Sequence, residues 1–304
     1  MLMNKIKVLL NNPYRLFTGL ASKGLLNWMP DEPYLKLIYR ARTGRKLNLK
    51  DPKRLTEKMQ WLKLNDHNPL YSELVDKYAV RKRIAAAIGE KYLIPLVGGP
   101  WDCFEDIDFD NLPNQFVLKC THDSGGLVIC RDKGKLDLEK AKVKIQRSLK
   151  HNYYHSGREW PYKNVQPRII AESYMEDPGC GYLTDYKIFC FHGVPRIVLT
   201  VRGGHEDESK TVRRMYNEDW ELYPVGIHDK PAETIPEPRP AQLENMLELA
   251  RKLSAGFKHL RVDFYVVSDR IYFGELTFYH MSGMEHFDPD DYDRIFGQFL
   301  DLNK

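Results

Sequence analysis

The chain has 304 residues, 42% of them apolar and 12% aromatic, and its 46 basic and 42 acidic side chains leave a formal charge of +4. That length allows one large or two small domains, and the aromatic content excludes a disordered chain. So balanced a charge does not by itself point to nucleic acid, and it suits an enzyme with a basic pocket for an anionic substrate.

Met1 to Pro30 mixes Leu, Phe and Trp with scattered Lys and Arg. It has no long uncharged apolar run and no small-residue cleavage site, so neither a membrane span nor a signal peptide is expected. Two expectations stay open for it. One is packing on its own domain or a partner subunit. The other is amphipathic contact with the inner face of a membrane or with a polysaccharide-assembly complex. Residues 1–70 as a whole read as a helical, basic segment broken by Pro13, Pro30, Pro33, Pro52 and Pro69. Residues 55–62 have helical periodicity, and so does Asp76 to Gly89, with Val80, Ile84, Ala87 and Ile88 on one face. Lys91 to Val97 reads as extended, with a turn at Gly98-Gly99-Pro100. Residues 71–115 thus form a linking region ahead of the main domain.

From residue 116 the pattern changes. Phe116–Lys119 and Leu127–Cys130 predict a hairpin with a Gly-rich tip, and Leu138 to His151 an amphipathic helix. Strands are expected at 168–171, 186–191 and 195–201. Arg202 to Arg214 reads as a mobile charged loop, and 224–240 as a Pro-rich surface run. A helix at 241–253 and a hairpin of 261–267 with 270–276 close the chain. Mixed hairpins and helices indicate an α+β fold. The five cysteines, Cys103, Cys120, Cys130, Cys180 and Cys190, lack C-x-x-C spacing and read as free thiols of a reducing cytoplasm.

Three constellations carry chemistry. Lys119 followed by Ser124-Gly125-Gly126 offers a cation and free backbone N–H groups, which suits a polyphosphate. Read alone it is also an ordinary hairpin turn. Alternation along 261–265 puts Arg261, Asp263 and Tyr265 on one strand face, and Glu275 shares a face with Thr277 on the next strand. Pairing around the Ser268-Asp269 turn brings Asp263 near Glu275, and two carboxylates among aromatic neighbours call for a cation such as magnesium. Arg261 beside them would neutralise a transferring phosphoryl group. A solvated hairpin with Arg–Asp pairing is the plainer alternative. Third, the strand ending at Glu172-Ser173-Tyr174-Met175 offers apolar walls and hydrogen-bond partners for a nucleobase.

The order and spacing of these constellations resemble ATP-grasp enzymes. The run Arg261-Val262-Asp263-Phe264 … Glu275-Leu276-Thr277 is similar to the carboxyl segment of D-alanine–D-alanine ligases. The more specific resemblance, over roughly residues 35–300, is to the TupA-like ATP-grasp family of surface-polysaccharide and teichuronopeptide gene clusters. It is carried by Glu57-Lys58-Met59-Gln60-Trp61, Asp76-Lys77-Tyr78, Phe116–Cys120, Arg158–Lys163, Asp185-Tyr186-Lys187 and Tyr272–Tyr279.

That resemblance implies two α+β lobes around an ATP cleft, the first spanning about 116–172 and the second about 173–304. It implies Lys119 on the α- and β-phosphates under Ser124-Gly125-Gly126, and Glu172 and Tyr174 beside adenine and ribose. Lys187, in the Asp185-Tyr186-Lys187 stretch, would also reach phosphate, and Asp185 is assigned to the nucleotide site with it. Asp263, Glu275 and Thr277 would hold magnesium. Thr277 stands where the family's relatives commonly carry Asn, so a second ion is left open. The implied reaction joins an amino acid to a uronic-acid carboxylate of a surface glycan through an acylphosphate, with Arg261 stabilising charge. Arg202 and Arg213 on the charged loop, and Ser282 and Gly283 past the metal strand, would meet the substrates. No nucleic acid is expected. A glycosyltransferase using the acidic turn at Asp106, Asp108 and Asp110 is one rival, and a non-catalytic nucleotide-binding scaffold is another.

Overall fold

The computed structural model describes residues 14–178, 183–203 and 210–304. Two antiparallel sheets, each with its own core, dominate these residues. Helices α1 (Arg15–Ser22), α2 (Asp31–Thr43), α3 (Leu55–Asn65), α4 (Leu70–Val75) and α5 (Val80–Ile88) come first. Strands β1 (Leu96–Trp101), β2 (Phe116–Cys120) and β3 (Leu127–Cys130) follow, then helices α6 (Leu138–Leu149) and α7 (Tyr154–Gly157), and strand β4 (Ile169–Ser173). The smaller sheet runs β1-β4-β2-β3. Its strands alternate simply: Phe116, Leu118 and Cys120 are buried while Val117 and Lys119 are not. Helix α6 covers one face, because Ala141, Ile145 and Ser148 recur at helical spacing and Asp137 caps its first turn through Lys140 N at 3.0 Å.

The larger sheet contains β5 (Thr184–Phe191), β6 (Val194–Arg202), β7 (Val212–Tyr216), β9 (His259–Val267) and β10 (Arg270–Thr277), in the order β10-β9-β5-β6-β7. Helix α8 (Leu243–Ser254) buries Leu243, Met246, Leu247, Ala250 and Leu253 against it. Strands β8 (Gly226–Ile227) and β11 (Phe287–Asp288) pair as a short ribbon, and helix α9 (Asp291–Gly297) ends the fold against α3. The α+β class and both predicted hairpins are present.

Several expectations change. The first lobe begins before residue 116, since β1 is hydrogen-bonded to β4. Gly98-Gly99-Pro100 lies inside that strand and not in a turn; a side chain at Gly99 would meet the Ile169 carbonyl at 2.8 Å, so glycine permits the close pairing. Residues 91–95 are not a strand, as a 3-10 turn occupies Glu90–Tyr92. The helical boundary at 70 is not a structural one, because Leu55, Met59, Leu62 and Tyr71 belong to the core of the larger lobe. Nor is Arg202 to Arg214 all loop. Arg202 pairs with Thr184 in β6, and Arg213 and Arg214 lie in β7; what joins them, residues 204–209, lies outside the described residues. The Pro-rich 224–240 run is partly interior, with Val225, Gly226 and Ile227 buried. Cys120, Cys130 and Cys190 are buried free thiols; Cys180 lies outside the described residues.

The N-terminal helices are tied down by one buried cation. Arg158 is 1% exposed, and its guanidinium donates to the carbonyls of Leu26, Asn27 and Met29 at 3.0, 3.3 and 3.0 Å. It also stands over the Tyr34 ring, 4.1 Å from the centroid. Arg158→Ala leaves those carbonyls unpartnered and is expected to cost about 3 kcal/mol. Urea denaturation of the intact chain checks this, and an unmoved midpoint contradicts it.

Candidate functional site

A cavity of about 720 Å³ lies between the two sheets. Ile94, Val117, Ile129, Met175 and Leu183 give it apolar walls, and Lys119, Glu172, Arg202, Arg214 and Tyr265 add polar groups. That size and mixture suit a nucleotide-sized ligand.

Lys119 projects from β2 because β2 alternates inward and outward. Its Nζ lies 2.6 Å from Glu172 Oε2, and Arg81 from α5 holds Glu172 Oε1 at 3.0 Å. The Glu172 carboxylate is therefore already engaged, and the following residues 173–176 are what line the cavity beside it. Tyr174 accepts from Arg131 and donates to Glu176, both at 2.8 Å. In the Gly-rich tip, Gly126 N–H is taken by the Asp123 carboxylate. A side chain at Gly126 would collide with Cys120 Sγ at 2.6 Å and Cys120 Cβ at 2.7 Å. Gly126 thus shapes the turn from beneath, while Ser124 and Gly125 are exposed.

The second cluster sits on the larger sheet. Register pairs Lys187 with Asp263 across β5 and β9. Between β9 and β10 the ladder slips after Phe273, so Gly274 and Glu275 together oppose Asp263. Glu275 and Asp263 are thereby brought to one nitrogen: Arg261 Nη2 lies 2.7 Å from Asp263 Oδ2 and 3.0 Å from Glu275 Oε1. Arg261 Nε also donates to Asp263 Oδ1 at 2.7 Å, and Nη2 to Thr277 Oγ1 at 2.9 Å. Lys187 Nζ bridges Asp185 and Asp263, 2.6 Å from each.

Burial alone would raise the Asp263 pKa, but Arg261 and Lys187 outweigh it and hold the carboxylate below its ordinary value. Burial likewise pushes Lys187 down, and Asp185 and Asp263 overcome it, leaving the ammonium above its ordinary value. Both groups are charged near neutral pH. Glu275 is the more accessible carboxylate, with 35% of its side chain exposed against 1% for Asp263.

The substrate-side residues divide. Arg202 and Arg214 pair with Glu237, at 3.3 and 2.6 Å. Arg213 pairs with Val201, which pairs with Asp185, so it shares the sheet face of the Asp263 cluster. The Ser282 and Gly283 carbonyls face inward and accept from Lys63 and Gln60. The acidic turn does not line this cavity: Asp108 instead caps the backbone N–H of Asp110 at 3.1 Å and binds the Asn111 amide at 2.6 Å.

Arg81, Glu237 and the His280–Glu285 pair were not foreseen. Arg81 is one of three basic residues in Arg81-Lys82-Arg83, and nothing local singles it out.

A sequence model of the TupA-like ATPgrasp family matches residues 57–301. The chain belongs to this family. No curated protein matches it in sequence. Among solved structures it is similar to D-alanine–D-alanine ligase from Bacillus anthracis complexed with ATP, at 18% identity and a TM-score of 0.41, over 68% of this chain and 56% of that one. It is similar to the ATP-grasp ligase PsnB complexed with a phosphomimetic variant of a minimal precursor, Mg and ADP, at 11% identity and 0.39, over 73% and 57%. A third is N5-carboxyaminoimidazole ribonucleotide synthetase from Thermus thermophilus, at 14% and 0.38, over 69% and 46%. The chain thus spans about half the length of the ligases it overlays. The family assignment rests on the sequence match, not on these overlays.

In this TupA-like ATP-grasp chain, Lys119 is the small lobe's candidate for a phosphate contact. Lys119→Met is expected to weaken Mg-ATP binding by about 10- to 100-fold, the loss of one charge-assisted hydrogen bond. Calorimetric titration of the intact protein checks this, and unchanged affinity removes Lys119 from the site.

Proposed function

We propose that the chain is an ATP- and magnesium-dependent carboxylate–amine ligase. Its substrates on this reading are an amino acid and a uronic-acid carboxylate of a bacterial surface glycan. One observation carries the reading: Asp263, Glu275 and Thr277 converge on one nitrogen of Arg261, on the β9 face whose Tyr265 lines the cavity together with Lys119. The donors are all oxygen, which fits a hard cation, and the exposure of Glu275 leaves one carboxylate accessible. Magnesium held by Glu275 and Asp263 would neutralise phosphate charge. Asp185 holds Lys187 beside Asp263, and residues 173–176 with the apolar walls receive the base.

In the reaction, a carboxylate oxygen attacks the γ-phosphorus of ATP and the bond to the ADP oxygen breaks, giving an acylphosphate. An amine nitrogen then attacks the acyl carbon, phosphate departs and the amine proton is released. Arg261, charged at any working pH, stabilises the transferring phosphoryl group, and Lys119 and Lys187 orient the phosphate chain. Arg202 and Arg213 are assigned to substrate contact, whereas Ser282 and Gly283, held inward by Lys63 and Gln60, support the turn behind the metal strand.

Release of ADP and phosphate should require a uronate and an amino acid together. A panel of amino acids with glucuronate or galacturonate tests this. Turnover of a nucleotide-sugar without ATP would support the glycosyltransferase, and tight ATP binding without turnover the scaffold. Glu275→Gln removes one ligand charge at similar volume, so magnesium-dependent turnover should fall at least about 100-fold with the melting temperature near wild type. Full activity in this variant sinks the metal assignment.

The same reading puts residues 1–30 at the inner membrane face. Lys5, Lys7, Arg15 and Lys23 are accompanied by no acidic residue, and Leu16, Leu25 and Trp28 are 56%, 56% and 77% exposed. Residues 1–13 lie outside the described residues. The protein should sediment with phosphatidylglycerol vesicles and less with phosphatidylcholine vesicles, and Trp28→Glu should weaken this. Equal, negligible sedimentation with both rejects the placement.

A further inference from the structure

Arg261 is held by more than the metal-binding set. Its Nη1 lies 2.8 Å from His280 Nδ1. A guanidinium has hydrogens to give and no lone pair to accept with, so His280 Nδ1 is the acceptor. The neutral imidazole then carries its proton on Nε2, and burial keeps this ring neutral by pushing its pKa down to about 4. Nε2 lies 3.2 Å from Glu285 Oε2, and His228 Nε2 lies 3.1 Å from the same oxygen. The other oxygen, Oε1, accepts the backbone N–H of His228 at 3.0 Å and of His286 at 2.9 Å. His280 and Glu285 are 6% and 5% exposed. The Arg261–His280 contact is a hydrogen bond; His280 Nε2 and His228 Nε2 stand close to Glu285 Oε2 without hydrogen-bond alignment, so Glu285 backs His280 by proximity of charge.

The backbone holds this cluster in strained positions. Met281 and Ser282, just past His280, have φ of 47° and 56°, and His228 has φ of 55°. Lys63 and Gln60 clamp the 280–283 turn through its carbonyls.

Two histidines and a carboxylate within 4.8 Å are also the composition of a metal site. Arg261 opposes that use. An ion on His280 Nε2 would force the ring proton onto Nδ1, where it would face Arg261 Nη1 at 2.8 Å, donor against donor.

We infer that His280, backed by Glu285 and His228, is a positioning residue for Arg261 in the phosphoryl-transfer reaction proposed above. The other partners of the guanidinium, Asp263, Glu275 and Thr277, are the oxygens that serve the cation. When they turn to that task, the Nη1–His280 bond lies outside the exchange and keeps the guanidinium plane aimed.

The inference rests on the ligase reading, and two measurements separate their failures. In ADP release with saturating Mg-ATP, a uronate and an amino acid, His280→Ala should lower kcat about 100-fold while KM for ATP stays within about twofold. His280→Asn places an amide oxygen where Nδ1 stood and should recover about tenfold. Glu285→Gln, which keeps the volume, should fall between. In ¹⁵N NMR of the guanidinium groups with saturating Mg-ADP, when Asp263, Glu275 and Thr277 serve the cation, Arg261 should show separate, slowly exchanging Nη signals in the wild type that merge in His280→Ala and return in His280→Asn. Wild-type kcat and unchanged Arg261 signals in His280→Ala overturn the inference. So does one equivalent of transition metal in the purified protein that is lost in Glu285→Gln. If the wild type turns over no ATP, the ligase reading fails, and the Arg261 signals still decide the positioning role.

Discussion

Asp263 is a fully buried carboxylate flanked by two cations, and the organisation of the larger lobe follows from keeping it ionised. An isolated charge at 1% exposure would be expelled or neutralised. Here Arg261 grips both oxygens from the same strand, two residues away on the same face, and Lys187 reaches Oδ2 from the neighbouring strand. This arrangement requires β9 to sit between β5 and β10, and it requires the slip after Phe273 that turns Glu275 toward the same nitrogen. Arg261 and Lys187 face the carboxylates of Asp185, Asp263 and Glu275, and Glu275 is the most exposed of the three.

The small lobe repeats the device. Glu172 holds Lys119 at 2.6 Å and is itself held by Arg81. In both lobes a lysine that would meet phosphate is oriented by carboxylates before any phosphate arrives. Such fixed charges lower the reorganisation required when charge develops in a reaction. On the proposed reading, an incoming triphosphate would replace the carboxylate partners of Lys119 and Lys187 with its own oxygens, so binding would exchange ion pairs and not create them from water.

Much of this was legible from residues close together in the chain. The hairpin of 259–267 with 270–277 follows from alternation and a two-residue turn, and it carries Arg261, Asp263, Glu275 and Thr277 as one unit. Lys119 and its Gly-rich tip are local for the same reason. Relations between distant segments were not legible. Arg81 meets Glu172 across 91 residues, Arg158 reaches the 26–29 carbonyls across about 130, and His228 meets Glu285 across 57. No periodicity marks such pairs. The charged run at Arg202 to Arg214 misled because its basic residues look solvated, while the structure pairs Arg214 with Glu237 and runs strands through both ends. The glycines at 98 and 99 misled because a turn signal and a close strand approach use the same residue.

The central claim is that a substrate carboxylate is activated by phosphorylation beside the Asp263–Glu275 cluster. The most direct measurement follows oxygen. With glucuronate labelled by ¹⁸O in its carboxylate, an amino acid and Mg-ATP, the acylphosphate route transfers one labelled oxygen to the released phosphate. The account predicts phosphate carrying one ¹⁸O for every ADP formed. Unlabelled phosphate, with both labelled oxygens still on the uronate, would contradict it.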